Sequence, residues 1–131
     1  MCAAFAGLTN SGRGSQALRE IEDVFFERLL GARRAVPETV ELGRDRLDAF
    51  AGPYANGELR AGVAVDGPGL VLELVELDRA TGTPRETMST RARPIGERTF
   101  ECLDGDLQRA RFDFPLPRFA RIGSRLQERL A

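Results

Sequence analysis

Apolar positions between residues 15 and 30 recur at helical spacing. Leu18, Ile21, Phe25 and Leu29, flanked by Val24, Phe26 and Leu30, form a wide apolar stripe, and Glu20, Glu22, Asp23, Glu27 and Arg28 take the other side. Ser15 reads as the N-cap and Gly31 as the residue just past the C-terminal end. Ahead of this helix, residues 2–8 read as a short buried strand, and Asn10, Gly12 and Gly14 in "TNSGRG" supply the turn between them. Residues 32–44 lack periodicity and read as a linker. A single helical turn follows around residues 46–50, stopped by Gly52-Pro53.

From Tyr54 onward the period drops to two. Strands are predicted at 59–65, 70–77, 86–93, 99–103, 107–114, 118–122 and 125–130; the last also fits a helix through Leu126 and Leu130. "DGPG", "ATGTP", "PIGE", "DGD", "PLP" and "GS" between them are turn chemistry. Short strands at this spacing predict an antiparallel meander closing into a small barrel or sandwich. Val63, Val65, Leu72, Leu74, Phe100, Phe112 and Phe114 are the candidates to fill it. The fold expected is α+β, in three parts: a strand and amphipathic helix over 1–31, a linker over 32–44, and a β-barrel over 45–131.

Composition narrows the chemistry. There is no His, and the 19 basic residues are all Arg. Without His the Ser/His/Asp triad and most zinc sites are excluded; without Lys there is no P-loop lysine, Schiff base or Ser-x-x-Lys pair. With a formal charge of −1, no global field attracts nucleic acid or an anionic membrane. No apolar run is long enough to span a bilayer. The start has neither a basic n-region nor a cleavage-site pattern, so no signal peptide is read and cytoplasm is the default expectation. Cys2 and Cys102 read as small buried hydrophobes.

Four motifs invite a functional reading. Gly12-Arg13-Gly14-Ser15-Gln16-Ala17 matches a dinucleotide-binding loop but lacks the following strand and its acid. Tyr54-Ala55-Asn56 spells a triplet that some acyl-serine hydrolases use in proton transfer; the plainer reading is an anchoring Tyr followed by a tight turn at Asn56-Gly57. Arg109, Arg111, Arg118, Arg121, Arg125 and Arg129 make the last quarter locally basic. Arg109 and Arg111 would share one strand face, with Phe112 and Phe114 on the other, so a solvated barrel exterior is expected rather than a stacking platform. The carboxylates Asp104/Asp106 and Glu73/Glu76 receive no catalytic role, since Asp104-Gly105-Asp106 reads as a turn. No catalytic, cofactor or metal residue is assigned.

Two stretches together carry a resemblance. "AAFAGLTNSGRGSQAL…VFFERLLG" resembles the end of the catalytic domain in serine β-lactamase-like hydrolases, the class C β-lactamase, penicillin-binding-protein and esterase relatives. "LDAFAGPYANGE", "RTFEC", "RARFDF" and "ARIGSRLQERL" look like the lipocalin-like barrel appended C-terminally to many actinobacterial members. In that family the Ser-x-x-Lys, Tyr-x-Asn and His/Lys-x-Gly motifs precede the Leu-Thr-Asn strand. Tyr54-Ala55-Asn56 lies after it, in the wrong domain, so no catalytic residue carries over. The resemblance implies a noncatalytic C-terminal fragment or accessory domain, its first strand and helix being remnants of a transpeptidase-type α/β domain. Met1 is then expected to replace an ordinary apolar position within that strand, as an internal start would.

Energetics sharpen the expectation. Each buried Leu, Ile or Phe contributes about 1.5–3 kcal/mol, so an uncovered stripe would forfeit on the order of 10 kcal/mol. The helix over 18–30 is therefore expected to find cover on the barrel, on another copy in a homo-oligomer, or on a partner protein. Two alternatives stand beside the accessory-domain reading. One is a free-standing barrel that binds small hydrophobic ligands in its interior; the other is a docking subunit for a separate hydrolase domain.

Overall fold

The computed structural model describes residues 4–8, 14–31, 33 and 35–130. The chain divides into two units after Pro37.

The first unit is built on helix α1, Gly14–Leu30. Gly31 adopts φ 63°, and its N–H donates to Glu27 O at 3.0 Å, so the left-handed C-terminal cap expected there is present. The helix already includes Gly14, which places Ser15 in its first turn rather than at the N-cap. The strand expected over 2–8 is not found where the chain is described. Residues 4–8 carry no strand pairing, and residues 2 and 3 lie outside the described residues. A strand needs a hydrogen-bonding neighbour, and the described part of this unit supplies none. The segment packs on α1 instead. Phe5 lies 5.5 Å from Phe25 between ring centroids, and a Cβ on Gly7 would stand 2.6 Å from Leu18 Cδ2. Only part of the apolar stripe gains cover: Leu18, Phe25 and Phe26 are half-buried, whereas Ile21, at 54%, Val24, Leu29 and Leu30 are exposed.

The second unit is a closed antiparallel barrel in which eight strands follow one another in chain order, preceded by a short helix. Helix α2 is Arg44–Phe50. The strands are β1 Gly52–Ala55, β2 Leu59–Asp66, β3 Gly69–Leu77, β4 Pro84–Pro94, β5 Thr99–Cys102, β6 Arg111–Leu116, β7 Phe119–Ile122 and β8 Arg125–Arg129. The pairs Tyr54↔Arg129 and Ala55↔Glu128 close the seam between β1 and β8. Closure leaves no exposed sheet edge along the ladder.

Two departures from the sequence reading and one resolved ambiguity are informative. β1 was expected only as a stop, because Gly52-Pro53 opens it; Pro53 stands at the second position of the strand, ahead of the pairing with β8 that begins at Tyr54. The strand expected from 107 starts at Arg111. Residues Gly105–Leu107 make a 3₁₀ turn, and Arg109 sits at φ 70°, so it does not share a strand face with Arg111. The segment that also fitted a helix is β8.

Alternation builds the core. Ala61, Val63, Leu70, Leu72, Leu74, Ala92, Phe100, Cys102, Phe112, Phe114 and Ala120 point inward and are buried, with Val65 packed against them. Phe100, at 0% exposure, stacks on Phe112 at 5.5 Å and meets Phe114 edge-on at 5.9 Å. Two polar side chains share this interior and both are satisfied. Gln127 Oε1 accepts from the Ile122 N–H at 3.2 Å, and Thr90 Oγ1 donates to Asp104 Oδ1 at 2.8 Å.

α2 closes one mouth of the barrel, the end where β1 starts and β8 finishes. Leu47 and Phe50, three residues apart, share one helix face. Leu47 is fully buried in the core, and Phe50 stacks on Phe114 at 4.4 Å with its edge toward Phe100 at 5.7 Å.

Candidate functional site

Tyr54, from the Tyr-Ala-Asn triplet, is 1% exposed in the core, and its hydroxyl donates to Phe50 O at 2.8 Å. Burial raises its pKa above the ordinary range, partly offset by the positive charge of Arg129. Asn56 Oδ1 accepts the N–H groups of Glu58 and Leu59 at 2.8 and 2.9 Å, which makes it the anchor of the turn between β1 and β2. Both side chains are thus committed to the fold.

The remaining sequence candidates disperse. Gly12 and Arg13 of the dinucleotide-type loop lie outside the described residues, and no strand follows α1 among the described residues before β1. Of the C-terminal arginines, Arg121 pairs bidentately with Asp113 at 2.8 and 2.7 Å, Arg118 approaches Glu128 at 3.7 Å, and Arg125 joins Arg79 on Glu58. Phe112 and Phe114 face the core, and three of these exterior arginines are engaged in ion pairs. Asp104 accepts from the Thr90 hydroxyl, the Arg91 guanidinium and the Arg91 N–H, and these bonds hold its carboxyl below the ordinary carboxylate range. Glu73 and Glu76 are both exposed on β3. Cys102 is buried; Cys2 lies outside the described residues. Among the described residues no group of three or more His, Cys, Asp or Glu stands together as a metal site would require. No described helix is long and apolar enough to cross a membrane.

What the fold does assemble is a cleft that the sequence reading missed. It lies at the mouth closed by α2, has a volume of about 410 Å³, and is lined by Arg46, Ala49 and Phe50 from α2, Arg98 from the β4–β5 turn, Phe114, Leu116 and Pro117 from β6 and its turn, and Arg129 from β8. The stacked Phe50–Phe114 pair floors it, and Leu116, 53% exposed, forms one wall. Its three guanidinium groups rest on backbone carbonyls. Arg129 donates to Ala49 O at 3.1 Å and Ala51 O at 2.5 Å, Arg98 to Pro115 O at 3.4 Å, and Arg46 reaches Glu97 O at 3.5 Å. None of the three has a carboxylate within ion-pair distance among the described residues, and no acidic side chain lines the cleft. Arg129 also completes α2: its positive charge sits on the carbonyls at the helix C-terminal end. Only Arg129 stood out in the sequence. The cleft draws on four separate stretches, residues 46–50, 98, 114–117 and 129, and no short-range pattern links them.

No protein-family model matches the chain, and no curated protein is significantly similar to it.

Proposed function

We propose that this chain is a noncatalytic accessory module of a β-lactamase-like serine hydrolase, with the barrel as the appended C-terminal domain. The observation that carries the reading is the fate of the Tyr54-Ala55-Asn56 triplet. It is the one hydrolase-type motif in the chain, and both of its polar side chains are spent on backbone hydrogen bonds within the barrel. The resemblance of residues 3–31 and 47–130 to the end of such hydrolases supplies the parentage. The unequal make-up of the two units agrees with it: a closed barrel with a sealed core, and a first unit of one helix and one unpaired segment whose Ile21, Val24, Leu29 and Leu30 are exposed.

A ligand inside the barrel would have to displace Phe100, Phe112, Phe114 and Leu72, each at most 2% exposed. That favours the accessory-domain reading over an interior ligand carrier.

The test is direct. The purified chain is expected to leave a chromogenic cephalosporin and p-nitrophenyl esters uncleaved. Turnover abolished by a single substitution would overturn the reading. An in-frame coding sequence upstream that carries Ser-x-x-Lys would support the parentage, and an upstream frame without it would count against it.

A further inference from the structure

The cleft at the α2 mouth joins cationic side chains to an apolar wall, in which Phe50 is half-buried and Leu116 and Pro117 are exposed. Several arginines elsewhere on the barrel meet acids: Arg91 meets Asp104 at 3.1 Å, Arg93 meets Glu101 at 2.8 Å, and Arg121 meets Asp113 at 2.7 Å. Around the cleft, the hydrogen-bond partners of Arg46, Arg98 and Arg129 among the described residues are carbonyl oxygens. A carbonyl fixes a guanidinium's direction without cancelling its charge, and five N–H donors per group leave several free for a further acceptor. Beneath them lie Phe50, Phe114, Leu116 and Pro117, with no carboxylate in the wall among the described residues.

We propose that this cleft binds a small amphipathic organic anion, a carboxylate or phosphate head joined to an apolar body. The head is held by the guanidinium groups of Arg46, Arg98 and Arg129. The apolar body lies on the half-buried Phe50 against the exposed Leu116 and Pro117. The volume of 410 Å³ falls within the roughly 300–1,000 Å³ usual for small-molecule sites. Charge-assisted bonds from a planar donor fork suit both carboxylate and phosphate heads. A polyanion such as nucleic acid fits less well. It needs an extended basic track, whereas the exterior arginines on β4, β6, β7 and β8 are interleaved with paired acids and the formal charge of the chain is −1. The site is independent of the accessory-domain reading, since it needs only the barrel and α2.

Calorimetric titration of the full chain with octanoate, octyl phosphate and 1-octanol tests it. The two anions should bind saturably at one site, the alcohol about tenfold or more weakly, and added salt should lower the anion affinity. Arg46→Gln combined with Arg98→Gln removes two cations that hold no ion pair among the described residues; it should weaken anion binding about tenfold or more while circular dichroism stays unchanged. Leu116→Glu, at an exposed position, sets a negative charge in the wall and should do the same. Tighter binding of octyl phosphate than octanoate would identify phosphate as the preferred head, and the reverse would identify carboxylate. Equal binding of 1-octanol and the anions, unchanged affinity in both variants, or no saturable binding would overturn the proposal.

Discussion

Arg129 passes so close to Gly52 that a side-chain carbon on Gly52 would lie 3.0 Å from Arg129 Nε and 3.2 Å from Nη2. Gly52 also holds φ at 143°, a region that residues with a Cβ rarely enter. The guanidinium therefore reaches the carbonyls of Ala49 and Ala51 only because position 52 is empty. Gly52→Ala should cost about 1–3 kcal/mol of stability, and Arg129→Ala about 1.5–3 kcal/mol through its charge-assisted bonds. The double variant should lose less than the sum, because alanine at 129 removes the clash. Urea unfolding of the three variants checks this, and strict additivity would contradict it.

A second glycine is more constrained. A Cβ on Gly69 would stand 2.2 Å from Ala92 O, part of the β3–β4 ladder, which has no freedom to retreat. Gly69→Ala is expected to lower stability by about 1–3 kcal/mol or more. Gly57→Ala, at an exposed turn with open space around it, should stay within about 0.5 kcal/mol of the parent. Thermal melts of the two variants side by side make the comparison.

Phe100 touches Phe50, Phe112 and Phe114 at once, and so joins the barrel interior to the helix in its mouth. Phe100→Ala is expected to cost about 3–5 kcal/mol. Phe100→Leu should recover much of that. Chemical denaturation measures both, and a loss under about 1 kcal/mol for the alanine variant would mean that the interior is looser than its burial implies.

Acid should weaken the barrel partly through Asp104. Its pKa in the folded chain is depressed below the ordinary 3.8 by bonds from Thr90 and Arg91. A depressed carboxyl stabilises the fold in full above the unfolded value, and that contribution disappears as pH falls through the folded value. Asp104→Asn should therefore lower stability at neutral pH and flatten the loss between pH 4 and the depressed value. Melting temperatures across that acid window, in the parent and in the variant, provide the check. Parallel curves would exclude the linkage.

Much of the barrel was legible because alternation survives wherever a strand has one face in the core. Residues 59–65 and 70–77 carry Val63, Leu72 and Leu74 at inward positions, and the structure places β2 and β3 over nearly the same spans. β1 escaped because four residues led by Gly-Pro carry no period, and only its pairing with both β2 and β8 makes it a strand. The start of β6 was placed too early because Leu107 and Arg109 imitate alternation, while Gly105 at φ 68° and Arg109 at φ 70° bend the chain away.

The cleft was illegible for a different reason. Arg46 and Arg98 look like ordinary surface charges in sequence, and Phe50 like the last apolar residue of a helical turn. They converge only because a closed up-and-down meander brings the β4–β5 turn, the β6–β7 turn and the end of β8 to the same rim. Of the six arginines that did stand out, Arg118, Arg121 and Arg125 are paired with acids, and Arg129 lines the cleft. Local charge density was a poor guide; counter-ion partnership, which needs coordinates, was the better one.

The grip of Arg129 on α2 has a consequence for how the barrel comes apart. The same short strand zips the cylinder shut against Tyr54 and Ala55 and fastens the stopper at its mouth. Unzipping there frees both together, so a cylinder that is still corked but already split along its side should never accumulate.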